Sequence, residues 1–155
     1  MLSTDKIKDL LSHGENKQVE FKKCTDKVSA SVYETVCSFL NAEGGYIFLG
    51  VDDDGTILGI NPKCVTDMTK SIINTLNNPE QFLPPMPITP EQTEIDGKII
   101  LYLNVPESEQ VHRYKNHFYD RWGMQIMMCQ SILIWLRTCS CEKKRNLPRM
   151  KYFPM

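Results

Sequence analysis

Leu40-Asn41-Ala42-Glu43-Gly44-Gly45-Tyr46-Ile47-Phe48-Leu49-Gly50-Val51-Asp52-Asp53-Asp54-Gly55 is the stretch whose reading decides the fold. It begins as the end of a helix and stops at a glycine pair, where a left-handed backbone is cheap. Tyr46 to Val51 is then a nearly continuous apolar run, the pattern of a central strand covered on both faces. Asp52-Asp53-Asp54-Gly55 is tight-turn chemistry, and Thr56-Ile57-Leu58-Gly59-Ile60 is expected to return as the hairpin partner.

Working back from the glycines, Ser31-Val32-Tyr33-Glu34 has capping-box spacing and opens a helix with Val32 or Tyr33, Val36, Cys37 and Leu40 on one apolar face. Before a polar connection at 25–30, Val19 and Phe21 alternate with Glu20 and Lys22, which predicts a half-buried strand. Ser3 or Thr4 caps a first helix with Ile7, Leu10 and Leu11 on its inner side, and Gly14 suits its stop.

Working forward, Asn61 caps and Pro62 starts a third helix that buries Val65, Met68, Ile72 and Leu76, with Asn77-Asn78-Pro79 as its end. Five prolines between 79 and 92 exclude a central strand there. Thr93-Glu94-Ile95, Asp96-Gly97 and Lys98 to Val105 spell a second hairpin. Val111 to Tyr114 and His117 to Arg121 read as short extended pieces closed by Gly123. The expectation is an α+β domain: a small mixed β-sheet with β-hairpins, packed against about three helices.

At 155 residues, with 41% hydrophobic and 24% charged content, the chain has the composition of one globular domain. Its net charge of −1 does not by itself advertise a polyanion partner. No apolar run reaches the ~20 residues of a membrane-spanning helix, and the polar N-terminus lacks a signal-peptide core. The expected setting is the cytoplasm, with no membrane partner. The six cysteines, at 24, 37, 64, 129, 139 and 141, lack zinc-knuckle spacing and read as reduced thiols.

The charge average hides a seam. Residues 1–123 hold 12 Lys/Arg against 18 Asp/Glu, whereas residues 124–155 hold 6 against 1, with five of the eight Met. The expected division is a domain at 1–123 and an atypical basic Met/Cys-rich tail at 124–155. Two accounts of the tail stay open. In one it is a native amphipathic or basic helix. In the other, a reading-frame slip near Gly123 has replaced a polar text: joining each codon's last base to the next codon's first two turns Met-Gln into Ala and Met-Met into Asp.

Two acidic sets are candidates for chemistry. Glu15 and Glu20 flank the first strand, and Asp52, Asp53 and Asp54 end the central one. Clustered carboxylates repel unless a cation joins them, and Mg²⁺ or Mn²⁺ held by such oxygens activates water. The plain alternative is a turn and a solvated strand face. Lys22, Lys23, Arg113, Lys115 and Arg121, interleaved with Tyr114, Phe118, Tyr119 and Trp122, are candidates for phosphates and bases, or an ordinary amphipathic surface. His112 and His117 are isolated and more simply structural. Gly44-Gly45 lacks the Gly-Lys-Ser/Thr ending of a phosphate loop and precedes a strand, so nucleotide binding is not supported. The aspartates do not alternate as calcium-loop ligands do.

Glu15-x4-Glu20-Phe21-Lys22, the Asn41–Gly55 element, Val105-Pro106-Glu107-Ser108 and Phe118-Tyr119-x-Arg121-x-Gly123, in that order, resemble the Schlafen AlbA-type domain over about residues 8–123. The resemblance implies a nucleic-acid-binding (DNA-binding) domain of bacterial transcriptional regulators, with no cofactor. Lys22, Lys23, Tyr119 and Arg121 would then contact nucleic acid on a surface shaped by Asn41, Gly44 and Gly45. The non-enzymatic reading is the default; the resemblance also implies an alternative, a divalent-metal-dependent endoribonuclease. Glu15, Glu20 and Asp53 (or Asp52) would be its acidic triad and Glu15, Glu20, Asp52 and Asp53 its Mg²⁺ or Mn²⁺ ligands. The single copy and the acidic balance of 1–123 depart from the animal nucleases. A third expectation is an oligomeric protein-interaction scaffold, a homodimer being the simplest form.

Overall fold

The computed structural model of the protein describes residues 1–129. Its elements in chain order are α1 (Thr4–Ser12), β1 (Val19–Lys22), α2 (Ala30–Asn41), β2 (Gly45–Leu49), α3 (Val65–Asn77), β3 (Phe82–Leu83), β4 (Glu91–Ile95), β5 (Lys98–Val105), β6 (Arg113–Tyr114), β7 (His117–Trp122) and β8 (Gln125–Cys129). They make an α+β fold with two four-stranded sheets. The first, ordered β1-β2-β5-β4, is mixed: β1 runs parallel to β2 and the other pairs are antiparallel. The second, β3-β6-β7-β8, is antiparallel.

Alternation along β1 and β2 assigns each face of the first sheet. Val19, Phe21 and Phe48 join Ile100 and Tyr102 in a cluster closed by Ile7 and Leu11 of α1. Ile47 and Leu49 point the other way, with Leu101, Leu103 and Val105, into the larger cluster of α2 and α3. Glu20 pairs in register with Ile47, and Lys22 with Leu49, so both polar side chains share the α2 side of the sheet.

α2 lies between the two sheets, in contact with β2 and β5 on one side and β6, β7 and β8 on the other. It is therefore buried beyond the one face that periodicity predicts: Thr35, Ser38 and Asn41 are as covered as Val36 and Leu40. The capping-box reading is corrected by two residues. Ser29 is the N-cap and Ser31 sits inside the first turn, its hydroxyl 2.8 Å from that of Ser29.

α3 buries the four expected residues but begins later than expected: Cys64 is its N-cap, and Asn61 and Pro62 lie in the preceding turn, where Asn61 Oδ1 accepts the Lys63 N–H at 3.1 Å. The 93–105 hairpin forms as β4 and β5 around Asp96 and Gly97, both at positive φ. The expected 46–60 hairpin does not. The turn closes through Asp52 N–H to the Thr56 carbonyl, but Val51–Ile57 is an isolated bridge. Gly50, Gly55 and Gly59 all take positive φ and peel this segment off the sheet, and β5 pairs with β2 instead.

The pieces around 111–121 become β6 and β7 of the second sheet, joined through Lys115 and Asn116 at positive φ. β8 continues that sheet across the compositional seam, pairing residues 125–129 with β7. The remainder of the expected tail, 130–155, lies outside the described residues.

Candidate functional site

The crossover from β1 to α2 opens a groove of about 660 Å³. Glu15, Glu20, Asp26, Asp53, Lys22, Lys23 and Lys27 supply its charges, and Thr25, Ser29 and Ser31 its hydroxyls. Lys22 and Glu20 reach it from the α2 side of β1, Lys23 from the strand's end, and Ser29 and Ser31 from the first turn of α2. That turn has no side-chain cap, and its N-terminal end carries the positive end of the helix dipole.

The acids are not free. One Glu20 oxygen accepts from Lys22 Nζ at 2.9 Å and the other from Arg121 Nη2 at 2.9 Å. Glu15 Oε1 accepts the backbone N–H of Phe21 at 2.9 Å. Lys23 Nζ lies 2.9 Å from Asp52 Oδ1 and 3.8 Å from Asp53 Oδ2. The Lys23 contact, with the Asp53 N–H, holds the Asp52 carboxyl below the usual carboxylate range, and the same contact raises Lys23. Among the described residues no three His, Cys, Asp or Glu side chains are grouped closely enough to hold a metal ion. Glu15, Glu20 and Asp53 share one groove, where Glu20 is paired with Lys22 and Arg121 and Lys23 stands against Asp52 and Asp53.

Tyr119 and Arg121 require a correction. Both expected to touch nucleic acid, they are buried, because β7 turns that face onto α2. The Arg121 side chain is 2% exposed; its guanidinium lies 4.5 Å from the Phe39 ring centroid and also donates to the Asn16 carbonyl at 2.9 Å. Its Nε and Nη1 have no hydrogen-bond partner among the described residues. Tyr119 leans on Glu34, its hydroxyl 3.5 Å away, and burial, then that carboxylate, push it up to about 12.

Asn41 is buried as well and works as a staple. Its amide donates to the carbonyls of His112 and Tyr119, both at 2.9 Å, and its Oδ1 accepts the His112 N–H at 2.7 Å. His112 is a buried structural residue, with Nδ1 2.9 Å from the Pro84 carbonyl and Nε2 2.8 Å from Ser108 Oγ. The glycine pair does shape the local surface. A Cβ on Gly44 would stand 2.6 Å from the Val105 carbonyl, and one on Gly45 would stand 2.5 Å from that of Gln18. Only glycines let the chain pass between these two backbones.

Of the expected contact residues, Lys22 and Lys23 reach the groove. Lys27, Thr25, Ser29 and Ser31 were missed, as was the acid Asp26. Their signal was a cation and hydroxyls set in the short connection before a helix start, a pattern that names phosphate only once the groove is known.

No helix among the described residues is long and apolar enough to cross a membrane. No curated protein matches the chain. Among solved structures it is similar to the N-terminal domain of an ATP-dependent DNA helicase RecG-related protein from Nitrosomonas europaea, at 26% identity and a TM-score of 0.53, covering 69% of this chain and 74% of that one. It also shares a fold with the DIP2311 protein from Corynebacterium diphtheriae, at 13% identity and a TM-score of 0.55. That match covers 73% of this chain but 25% of the other. The family model described as Schlafen, AlbA_2 matches residues 15–129, and the chain belongs to that family.

Proposed function

We propose that this domain binds nucleic acid through the phosphate backbone, at the groove between the end of β1 and the start of α2. The carrying observation is the convergence there of Lys22, Lys23 and Lys27 with the hydroxyls of Thr25, Ser29 and Ser31, beside an uncapped helix N-terminus. Phosphate oxygens want such cations and N–H or O–H donors. Family membership and the helicase-related name of the Nitrosomonas europaea protein support the reading. The groove's one aromatic, Phe21, is buried, so base stacking contributes little and sequence preference is weak. In this reading the domain serves a bacterial transcriptional regulator in the cytoplasm.

Fluorescence anisotropy with labelled single-stranded DNA, duplex DNA and RNA tests it. Three lysine contacts give a log–log salt slope of about −2 to −3. Lys27→Glu weakens all ligands together. No binding to any of them at low salt removes the proposal.

A divalent-metal-dependent endoribonuclease is the second reading, and what favours it is that Glu15, Glu20 and Asp53 line one groove. Incubation with structured RNA and Mn²⁺, with Glu15→Gln as control, decides it. Light scattering on the intact chain tests the homodimer and scaffold readings.

A further inference from the structure

The groove holds its lysines against its own carboxylates. Lys23 is half exposed, yet its ammonium sits 2.9 Å from Asp52 and 3.8 Å from Asp53. Asp52 is fixed in place, because its Oδ1 also accepts the Asp53 N–H at 2.6 Å within the turn that follows β2. The same turn is anchored from behind. Its Gly55 backs onto the Leu11 carbonyl so closely that a Cβ would stand 2.9 Å from it. Asp52 is thus presented rigidly to Lys23, as a phosphate would be, with the exposed Asp53 carboxylate beside it. We propose that Asp52 and Asp53 are internal competitors for Lys23: they occupy the cation that a nucleic-acid phosphate needs and so limit affinity, instead of acting as metal ligands. This rests on the phosphate-binding reading above.

The two roles predict opposite signs. A phosphate entering the groove must displace the Asp52–Lys23 pair, and an exposed pair of this kind is worth a few-fold in binding. Neutralising the aspartates therefore tightens metal-free binding. Were they metal ligands, neutralising them would weaken whatever a divalent ion supports. Asparagine at 52 keeps the oxygen that accepts the Asp53 N–H, so the turn survives the change.

The test measures binding of a labelled oligothymidylate in EDTA by wild type, by Asp52→Asn/Asp53→Asn, and by the same double change in a Lys23→Gln background. Glu43→Gln/Glu109→Gln, which neutralises two exposed carboxylates outside the groove, controls for the net-charge change. Mn²⁺ alone is titrated in parallel by water-proton relaxation. The expected result is tightening of about two- to five-fold per pair, absent in the Lys23→Gln background, larger than for Glu43→Gln/Glu109→Gln, and no stoichiometric Mn²⁺ binding. Unchanged or weaker binding by the double variant overturns the proposal, as does equal tightening without Lys23. So does a Mn²⁺ site lost with Asp53. If wild type binds the oligonucleotide and the variants fail these expectations, the competitor role falls alone. If wild type binds nothing, the phosphate-binding reading falls and the competitor role with it.

Discussion

Arg121 of β7 and Glu20 of β1, 101 positions apart in the chain, meet at 2.9 Å, with side chains 2% and 14% exposed. The contact ties the two sheets together across the edge of α2. A buried guanidinium that loses its carboxylate keeps its desolvation penalty, and breaking such a pair costs about 3–5 kcal/mol. Glu20→Gln should lower stability by that order in a urea unfolding series. Replacing both partners, Glu20→Gln with Arg121→Met, should recover part of the loss, since the buried guanidinium is gone and only Lys22, 17% exposed at the groove, loses its carboxylate. Equal loss in the single and double variants would remove the pair from the account.

Asn41 should be the least replaceable residue of α2. It serves the carbonyl and N–H of His112, just before β6, and the Tyr119 carbonyl of β7, and Asn supplies both donor and acceptor in one planar group. Each buried group left without a partner costs about 1–3 kcal/mol. Asn41→Leu is expected to destabilise more than Val36→Ala, despite being the more apolar change. Asn41→Asp should be as damaging as Asn41→Leu, because a carboxylate cannot donate to the carbonyls of His112 and Tyr119. Chemical denaturation of the three variants orders them.

The first sheet was largely legible because its determinants are local. Val19 and Phe21 against Glu20 and Lys22 mark two faces, and Asp96-Gly97 marks a turn that needs positive φ twice. The misreadings came from what lies on a face, which alternation does not state. The apolar–polar rhythm of 118–122 is correct, but α2 covers the side carrying Tyr119 and Arg121, so candidate ligand contacts became interior residues. Thr35, Ser38 and Asn41 look like a polar helix face, and they are buried because backbone groups satisfy them. The 56–60 segment has strand composition, but the glycines at 50, 55 and 59 steer it away from the sheet. Glu15, Glu20 and Asp53 of the groove were found and Asp26 was not, and the cations that neutralise them were not paired to them, since Arg121 reaches Glu20 only through the tertiary fold.

The glycines divide into two kinds that substitution separates. Gly97 and Gly123 take positive φ with open space around them, so alanine there costs only the left-handed backbone, about 1–2 kcal/mol. Gly44 combines φ +74 with a Cβ position 2.6 Å from the Val105 carbonyl, so alanine must also push apart the end of β5. Gly45 lacks positive φ but meets the Gln18 carbonyl. Gly44→Ala and Gly45→Ala should each destabilise more than Gly97→Ala. Because the clash moves β1's entry to the groove, Gly45→Ala should also weaken oligonucleotide binding, which Gly97→Ala should leave alone. Thermal melts and anisotropy on the same preparations separate the two effects.

The alkaline limb of stability should be set by the core between α2 and the second sheet. Burial pushes the Cys37 thiol up to about 12, and burial with Glu34 does the same for Tyr119. Both groups are neutral in the folded protein while their unfolded counterparts ionise near pH ~8.5 for Cys and ~10 for Tyr. The folded state then holds more protons than the unfolded state, so stability falls as pH rises through these windows. The contribution of Tyr119 is complete below about pH 10 and is lost towards 12. Tyr119→Phe should flatten that part of the decline in unfolding free energy without changing its value at neutral pH by more than its weak Glu34 contact. Cys37 gives a second readout at lower pH. At about pH 8, where an ordinary thiol is partly ionised, Cys37 should resist iodoacetamide while Cys24, half-buried beside Ser29, is modified. Rapid labelling of native Cys37, mapped by mass spectrometry, would show that α2 is not held between the sheets as described.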